Sequence, residues 1–220
     1  NNPTSTIRGD LNTYGDDFYT VGSDANLRFK NMIDQLLDRT NVYTGVKYKD
    51  DKAIMAWETG NELVIGNDPV RKEWLHDIAA YVKARDPNHL FMDGRNKPDD
   101  IFYTGYEEFL DDPNIDIVSY HTYVGITKNG SDSGLMASLK DISDMTKNRK
   151  PLILGEVAMY TTTSQLNDLI KAMTDSLPNS NYNGEVYNLS GMLWWGTRFH
   201  NRDGGFYKHS DNGSQHEDLN

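Results

Sequence analysis

Apolar and polar positions along this chain switch repeatedly between a helical and an extended period. Leu27, Met32, Leu36 and Leu37 recur at helical spacing behind Ser23, which is suited to capping, and predict a helix over about 23–39. The polar connection "TNVYTGVKYKDD" leads into "AIMAW", a short unbroken apolar run of the kind that suits a strand buried on both faces. The next helix is signalled more strongly. Asp68 can cap it, Pro69 takes its first position, and Val70, Trp74, Ile78, Tyr81 and Val82 form one apolar stripe, with Trp74 assigned to the core. "HLFM", "NIDIVSYHTY", "KPLILGEVAMY" and "LSGMLWWG" predict four further strands. Leu135, Leu139 and Ile142 mark a third helix, and Leu166, Ile170, Met173 and Leu177 a fourth. The polar tail 208–220 is expected to fray.

Five strands alternating with four helices predict an α/β fold, a parallel sheet built from right-handed crossover units. A chain of 220 residues can bury one sizeable core, so 1–220 is expected to be a single domain. No glycine-rich phosphate loop follows any strand, which removes the usual support for a nucleotide-binding fold. Charge narrows the partners further. With 22 Lys and Arg against 33 Asp and Glu, the net charge of -11 repels phosphate backbones and anionic lipid, so neither nucleic acid nor a membrane surface is an expected partner. Cysteine is absent, which excludes disulfides, thiolate metal sites and cysteine nucleophiles together. The six histidines show no pair at metal-ligand spacing on one helix face, so no metal or cofactor is expected. Asn129, Asn188 and Asn212 stand in Asn-x-Ser triplets that would accept glycans in a eukaryotic secretory pathway.

Polar residues collect at the C-terminal ends of the predicted strands: Asn61 and Glu62, Asp93 and Arg95, His121 and Tyr123, Glu156, then Trp194 and Trp195. In a (β/α)8 barrel that face carries the catalytic groups. Glu62 and Glu156 are about ninety residues apart, roughly three βα units at ~30 residues each, which places them across a barrel mouth from one another. Two carboxyls facing each other across a cleft are what glycoside hydrolysis requires, at ~5–5.5 Å for a retaining mechanism. Asn61, beside Glu62, is placed to donate to a sugar 2-hydroxyl, and an aromatic face such as Trp195 can support a pyranose ring. Glu58 points away from its neighbours Trp57 and Thr59 and is assigned a structural role.

"AIMAWETGNEL" resembles the acid/base strand of clan A glycoside hydrolases of family 5, where an apolar strand ends in Asn-Glu. "SYHTY" resembles their His-x-Tyr strand, "PLILGEVAMY" their nucleophile strand ending in Gly-Glu, and "GMLWWGTR" the final strand with its substrate-platform tryptophan. The four stand in the family's order and spacing. The resemblance implies that Glu62 is the acid/base, Glu156 the nucleophile and Asn61 the 2-hydroxyl ligand, with His121 and Tyr123 shaping the site and Trp195 carrying substrate. "YTGVKYKDDKAIMAWETGNEL" is most similar to the endo-β-1,4-mannanase branch, which implies a β-mannan substrate, secretion, and no cofactor. In two respects the chain departs from the family: Leu63 replaces the usual Pro after Asn-Glu, and the first three βα units of a barrel of about 250 residues have no counterpart here. The expectation is therefore the C-terminal part of a (β/α)8 barrel, strands four to eight, completed by an N-terminal segment. A β-1,4-glucanase, a β-mannosidase and a non-catalytic carbohydrate-binding remnant are the alternatives.

Overall fold

The computed structural model describes residues 15–63, 65, 68–94, 109–124, 140–159, 181–182, 185–186, 188–194, 208–211 and 214–217. They belong to two compact units, one formed by Asn1–Gly60, Ile65–Asp93 and Tyr103–Asp116, the other by Asn61–Val64, Gly94–Phe102 and Ile117–Asn220.

The first unit opens with a 3-10 turn, Gly15–Tyr19, and helix α1, Asp24–Leu37. The Ser23 hydroxyl accepts the Asn26 N–H at 3.1 Å, which satisfies one of the donors a helix start leaves open. Helix α2, Pro69–Arg85, is capped by Asp68, whose carboxylate accepts the Val70 N–H at 3.0 Å. Of the predicted stripe, Trp74, Ile78 and Val82 are buried, joined by Leu75 and Ala79, whereas Val70 in the first turn is exposed. Around Trp74 the rings of Phe18, Tyr19 and Phe29 lie with centroids 5.1–5.8 Å away.

Strands β1, Ala56–Glu58, and β2, Leu90–Met92, pair in parallel with Trp57 opposite Phe91. Strand β1 is shorter than the apolar run that predicts it, because the Ile54 N–H is held by the Asp51 carbonyl at 3.0 Å in a turn. It is also only partly covered, Trp57 being half-buried and Glu58 exposed, where the apolar run predicts burial on both faces. Among the described residues β1 hydrogen-bonds to a strand on one side only.

Asp86, the residue that ends α2, is the polar hub of this unit. Its carboxylate accepts the Trp57 indole N–H at 2.6 Å, the backbone N–H groups of Asn88 and His89, and the His89 Nδ1 proton at 2.6 Å. His89 Nε2 faces the Asp51 carbonyl at 3.0 Å, so both ring nitrogens meet acceptors and the imidazolium form is favoured. Burial opposes the charge on His89, but the Asp51 carbonyl and Asp86 outweigh it and raise its pKa. Burial likewise opposes ionised Asp86, yet its donors Trp57, His89 and Asn88 hold the carboxyl below its ordinary value.

A raised histidine contributes stability that is full below its unfolded pKa, ordinarily 6.5, and is lost as pH rises through the folded value. A depressed aspartate contributes stability above its unfolded pKa, ordinarily 3.8, and loses it as pH falls through the folded value. The pair is therefore expected to stabilise most between about pH 4 and 6.5. Thermal melts of wild type and His89→Gln from pH 4 to 8 check this: the wild-type advantage should shrink above pH 6.5. Parallel pH profiles would show that the pair is not linked to folding.

The second unit holds a three-stranded parallel sheet in the order β3, Val118–Val124, then β4, Leu152–Met159, then β7, Gly191–Trp194. Two residues each form the antiparallel pair β5, Asn181–Tyr182, and β6, Glu185–Val186. Residues 140–146 are helical, with Ile142 buried in the same core as Val118, Tyr120, Leu152, Leu154 and Leu189. Asn188 ties that helix to the approach of β7. Its side-chain amide donates to Thr146 Oγ1 at 2.9 Å and to the Lys150 carbonyl at 3.1 Å, and its backbone N–H to the Ser143 hydroxyl. A glycan on Asn188 would cost these bonds, which removes it from the acceptor sites suggested by the triplets.

In the tail, β8, Lys208–Asp211, pairs antiparallel with β9, Ser214–Glu217. Asp211 is opposite Ser214, and the sequence between them is Asn-Gly, a strong local hairpin signal. The predicted helix around 166–177 lies outside the described residues, as do Arg95 and Trp195.

Candidate active site

Glu62 follows β1 in the chain and belongs to the second unit, as do His121 on β3 and Glu156 on β4. His121 Nδ1 lies 3.1 Å from Glu62 Oε1 and 3.5 Å from Glu156 Oε2. The facing atoms of all three residues are within 4.8 Å of one another. His121 and Glu156 are buried, with side chains 4% and 8% exposed, whereas the Glu62 side chain is 39% exposed. One carboxylate is thus held in the sheet, the other stands at the open side, and a single imidazole nitrogen addresses both.

Strand register explains how Glu156 reaches this position. Tyr120 pairs with Leu154, but the next residue, His121, pairs with Glu156, so Gly155 is an extra residue in β4. Strand β7 sees the same excess: from Leu154 to Val157 β4 advances three residues while β7 advances two, Met192 to Trp194. A bulge of this kind re-aims the side chains that follow it. Unbroken alternation would set Glu156 on the face of Leu154 and Tyr120; the bulge turns it to the face of His121.

Gly155 also clears space for the imidazole. A Cβ built on it would lie 2.7 Å from His121 Nε2, 2.7 Å from Ser119 Oγ and 3.0 Å from His121 Cδ2. Both neighbours are buried in the sheet, so neither can give way without disturbing its packing. Gly155→Ala is therefore expected to destabilise the protein by about 1–3 kcal/mol through overpacking and to displace His121 from the carboxylates. A melting temperature equal to wild type would show that the site relaxes around the methyl group. Gly155 was not singled out from the sequence, although a glycine inside an apolar strand signals a bulge or a close approach.

Glu62 has φ 57°, the left-handed region that a residue with a Cβ enters at a cost of about 1–2 kcal/mol. The next residue is anchored, the Leu63 N–H donating to the carbonyl of buried Gly94 at 3.1 Å, and Gly94 itself has φ 67°. Strained backbone held by fixed neighbours is typical of positions where side-chain direction matters. Asn61 is exposed at the bend before Glu62. Tyr123 is two residues beyond His121 on β3, with Ala158 opposite it on β4, and Trp194 closes β7 opposite Val157. Asp93 is buried in the first unit. Of the six residues singled out from the sequence for chemistry or substrate binding, the structure thus brings Glu62, His121 and Glu156 together.

A family profile described as "GH family 5 beta-mannosidase-like" matches residues 6–189. The chain is similar to mannan endo-1,4-beta-mannosidase 3 of Arabidopsis thaliana, 28% identical and covering 82% of this chain and 50% of the relative. It is also similar to mannan endo-1,4-beta-mannosidase 4 of Solanum lycopersicum, 30% identical over 71% of this chain and 44% of the relative. Among solved structures, the endo-β-1,4-mannanase of Thermotoga petrophila superposes with a TM-score of 0.72 at 23% identity, over 91% of this chain and 49% of that one. The endo-1,4-β-mannanase of Rhizomucor miehei gives 0.67 at 24% identity, over 86% and 58%. The chain spans half or less of the length of these plant relatives. The matched profile covers most of the chain, and the chain belongs to the β-mannosidase-like group of glycoside hydrolase family 5.

Proposed function

We propose that this chain carries the catalytic carboxylates of a retaining glycoside hydrolase that cleaves β-1,4-mannan. The observation that carries this reading is the approach of Glu62 and Glu156, with facing atoms within 4.8 Å across His121. That separation favours the retaining arrangement, with carboxyls ~5–5.5 Å apart, over the inverting one at ~6.5–9.5 Å. Glu156 attacks the anomeric carbon as Glu62 gives its proton to the departing glycosidic oxygen. Glu62 then takes a proton from water, which opens the glycosyl ester on Glu156 and restores both groups. Buried Glu156 suits the nucleophile, which must be rigidly placed; half-exposed Glu62 suits the group that exchanges protons with a leaving oxygen and a water. His121 holds the two carboxylates in register without entering the covalent chemistry. Asn61, Tyr123 and Trp195 contact the sugar, as the family resemblance implies.

The parallel strands are proposed to be strands four to eight of a (β/α)8 barrel. The preceding units come from sequence N-terminal to them or from a second chain, as supported by relatives about twice as long. Secretion is inferred from the resemblance, and mannan is preferred over glucan because the similar curated proteins bear mannan names.

The test is covalent trapping with an activated 2-deoxy-2-fluoro-mannoside, followed by intact mass and peptide mapping. One sugar per chain on Glu156 is expected. An adduct on another residue would overturn the assignment of roles. Absence of any adduct with mannosyl and glucosyl reagents, alongside unimpaired oligosaccharide binding, would favour a non-catalytic carbohydrate-binding protein.

A further inference from the structure

We propose that Glu62, His121 and Glu156 also form a chelating site for a divalent transition-metal ion, Zn2+ in particular, whose occupancy shuts the site. Metal binding follows from the geometry alone; only the inhibition rests on the glycosidase reading.

Nδ1 of His121 is 3.1 Å from one carboxylate oxygen and 3.5 Å from the other. Zinc binds imidazole nitrogen at about 2.0–2.1 Å and carboxylate oxygen at about 2.0–2.2 Å, and tetrahedral angles then place nitrogen and oxygen about 3.3–3.5 Å apart. Both nitrogen–oxygen separations are thus close to the edges of such a tetrahedron, while the third edge, between the two carboxylates, extends to as much as 4.8 Å and has to shorten by about an ångström around an ion.

The ligands differ in freedom in a way that helps. His121 and Glu156 are fixed in adjacent strands and paired in register, and Gly155 leaves the imidazole room. Glu62 is half-exposed, so its carboxylate is the ligand that can swing inward by about an ångström and shorten the oxygen–oxygen edge around an ion that enters from solvent. The two carboxylates bring two negative charges to an ion of charge +2, and His121 joins them through the lone pair of Nδ1, with its ring proton on Nε2 in the metal-bound form. The fourth position is left for water.

The donor set also selects the ion. Mg2+ and Ca2+ require about six or more oxygen ligands and gain little from an imidazole, whereas Zn2+ accepts a mixed nitrogen and oxygen set of low coordination. Among the described residues this trio is the group with such spacing. An ion there stands between the acid/base and the nucleophile, where the reacting sugar carbon must sit, and removes both carboxylates from the reaction.

The experiment is calorimetric titration of the chain with Zn2+ and, separately, Mg2+, with hydrolysis of a nitrophenyl mannoside followed in parallel. One Zn2+ per chain is expected, weakened by about tenfold or more in both Glu62→Gln and His121→Gln, with Mg2+ giving no heat. Glu62→Gln alters a half-exposed side chain, so it remains informative if the buried His121→Gln fails to fold. Hydrolysis should fall with zinc occupancy and return on chelation. No binding to wild type, or undiminished binding to Glu62→Gln, overturns the site. Binding that depends on these residues in a chain that never hydrolyses mannoside supports the metal site and counts against the proposed activity instead.

Discussion

With Glu156 as the proposed nucleophile, Glu156→Gln is expected to lower the rate of glycoside hydrolysis on the order of 10^4-fold or more while leaving the fold and sugar affinity in place, because it would remove the atom that forms the covalent bond. The amide matches the carboxylate in shape, and its oxygen can still face His121 Nδ1, so the loss should appear in kcat rather than in KM. Glu62→Gln behaves differently by substrate. On mannan the leaving oxygen needs a proton and the rate should collapse similarly. On a dinitrophenyl mannoside the phenolate departs unaided, so the first step should survive and the glycosyl-enzyme should accumulate, with added azide restoring turnover by replacing the activated water. Steady-state and burst kinetics on both substrates decide the matter. Glu156→Gln within about tenfold of wild type on the activated substrate would remove Glu156 from the role of nucleophile, and equal losses of the first-step rate, read from the burst and from kcat/KM, for Glu62→Gln on both substrates would remove Glu62 from the role of acid/base.

The parts of this chain legible in the sequence are those with local causes. Helix α2 announces itself through Asp68, Pro69 and an apolar stripe within one segment: Asp68 caps it, Pro69 opens it, and Trp74, Ile78 and Val82 of the stripe are buried, while Val70 in the first turn is exposed. Glu62, His121 and Glu156, which the structure brings within 4.8 Å of one another, stand out by the same logic, as polar residues ending apolar runs. What was not legible depends on partners. The bulge at Gly155 exists only relative to β3 and β7, and without their register the alternation of "LILGEV" places Glu156 on the wrong face. The partial exposure of β1 likewise depends on what covers it, which an apolar run cannot state. Asp86 and His89 stand in the polar stretch "ARDPNH", where nothing local signals the clamp to Trp57, which joins segments 29 residues apart. The β8–β9 hairpin is the opposite case: Asn-Gly is a local signal, and low hydrophobicity obscured it.

Trp74→Ala is expected to be the most damaging core substitution in the first unit. The indole is fully buried, stacks on Phe29 with centroids 5.8 Å apart, and meets Phe18 and Tyr19 at 5.2 Å and 5.1 Å. Removing it deletes three ring contacts and leaves a cavity walled by aromatic side chains and α1, which are held by their own backbone and collapse only partly. Substitutions of this kind cost about 3–5 kcal/mol, a large share of the roughly 5–15 kcal/mol that stabilises an ordinary domain. At roughly 2–4 °C per kcal/mol for a chain of this length, the melting temperature should fall by about 6–20 °C. Trp74→Phe separates the causes. The indole N–H is buried and meets no acceptor among the described residues, so phenylalanine gives up no hydrogen bond and relieves an unsatisfied donor while keeping an aromatic face against Phe29. Its cost should be well under half that of alanine. A scanning-calorimetry series in which phenylalanine and alanine destabilise equally would mean that the indole N–H has a partner and that its hydrogen bond, rather than ring packing, holds α2 against α1.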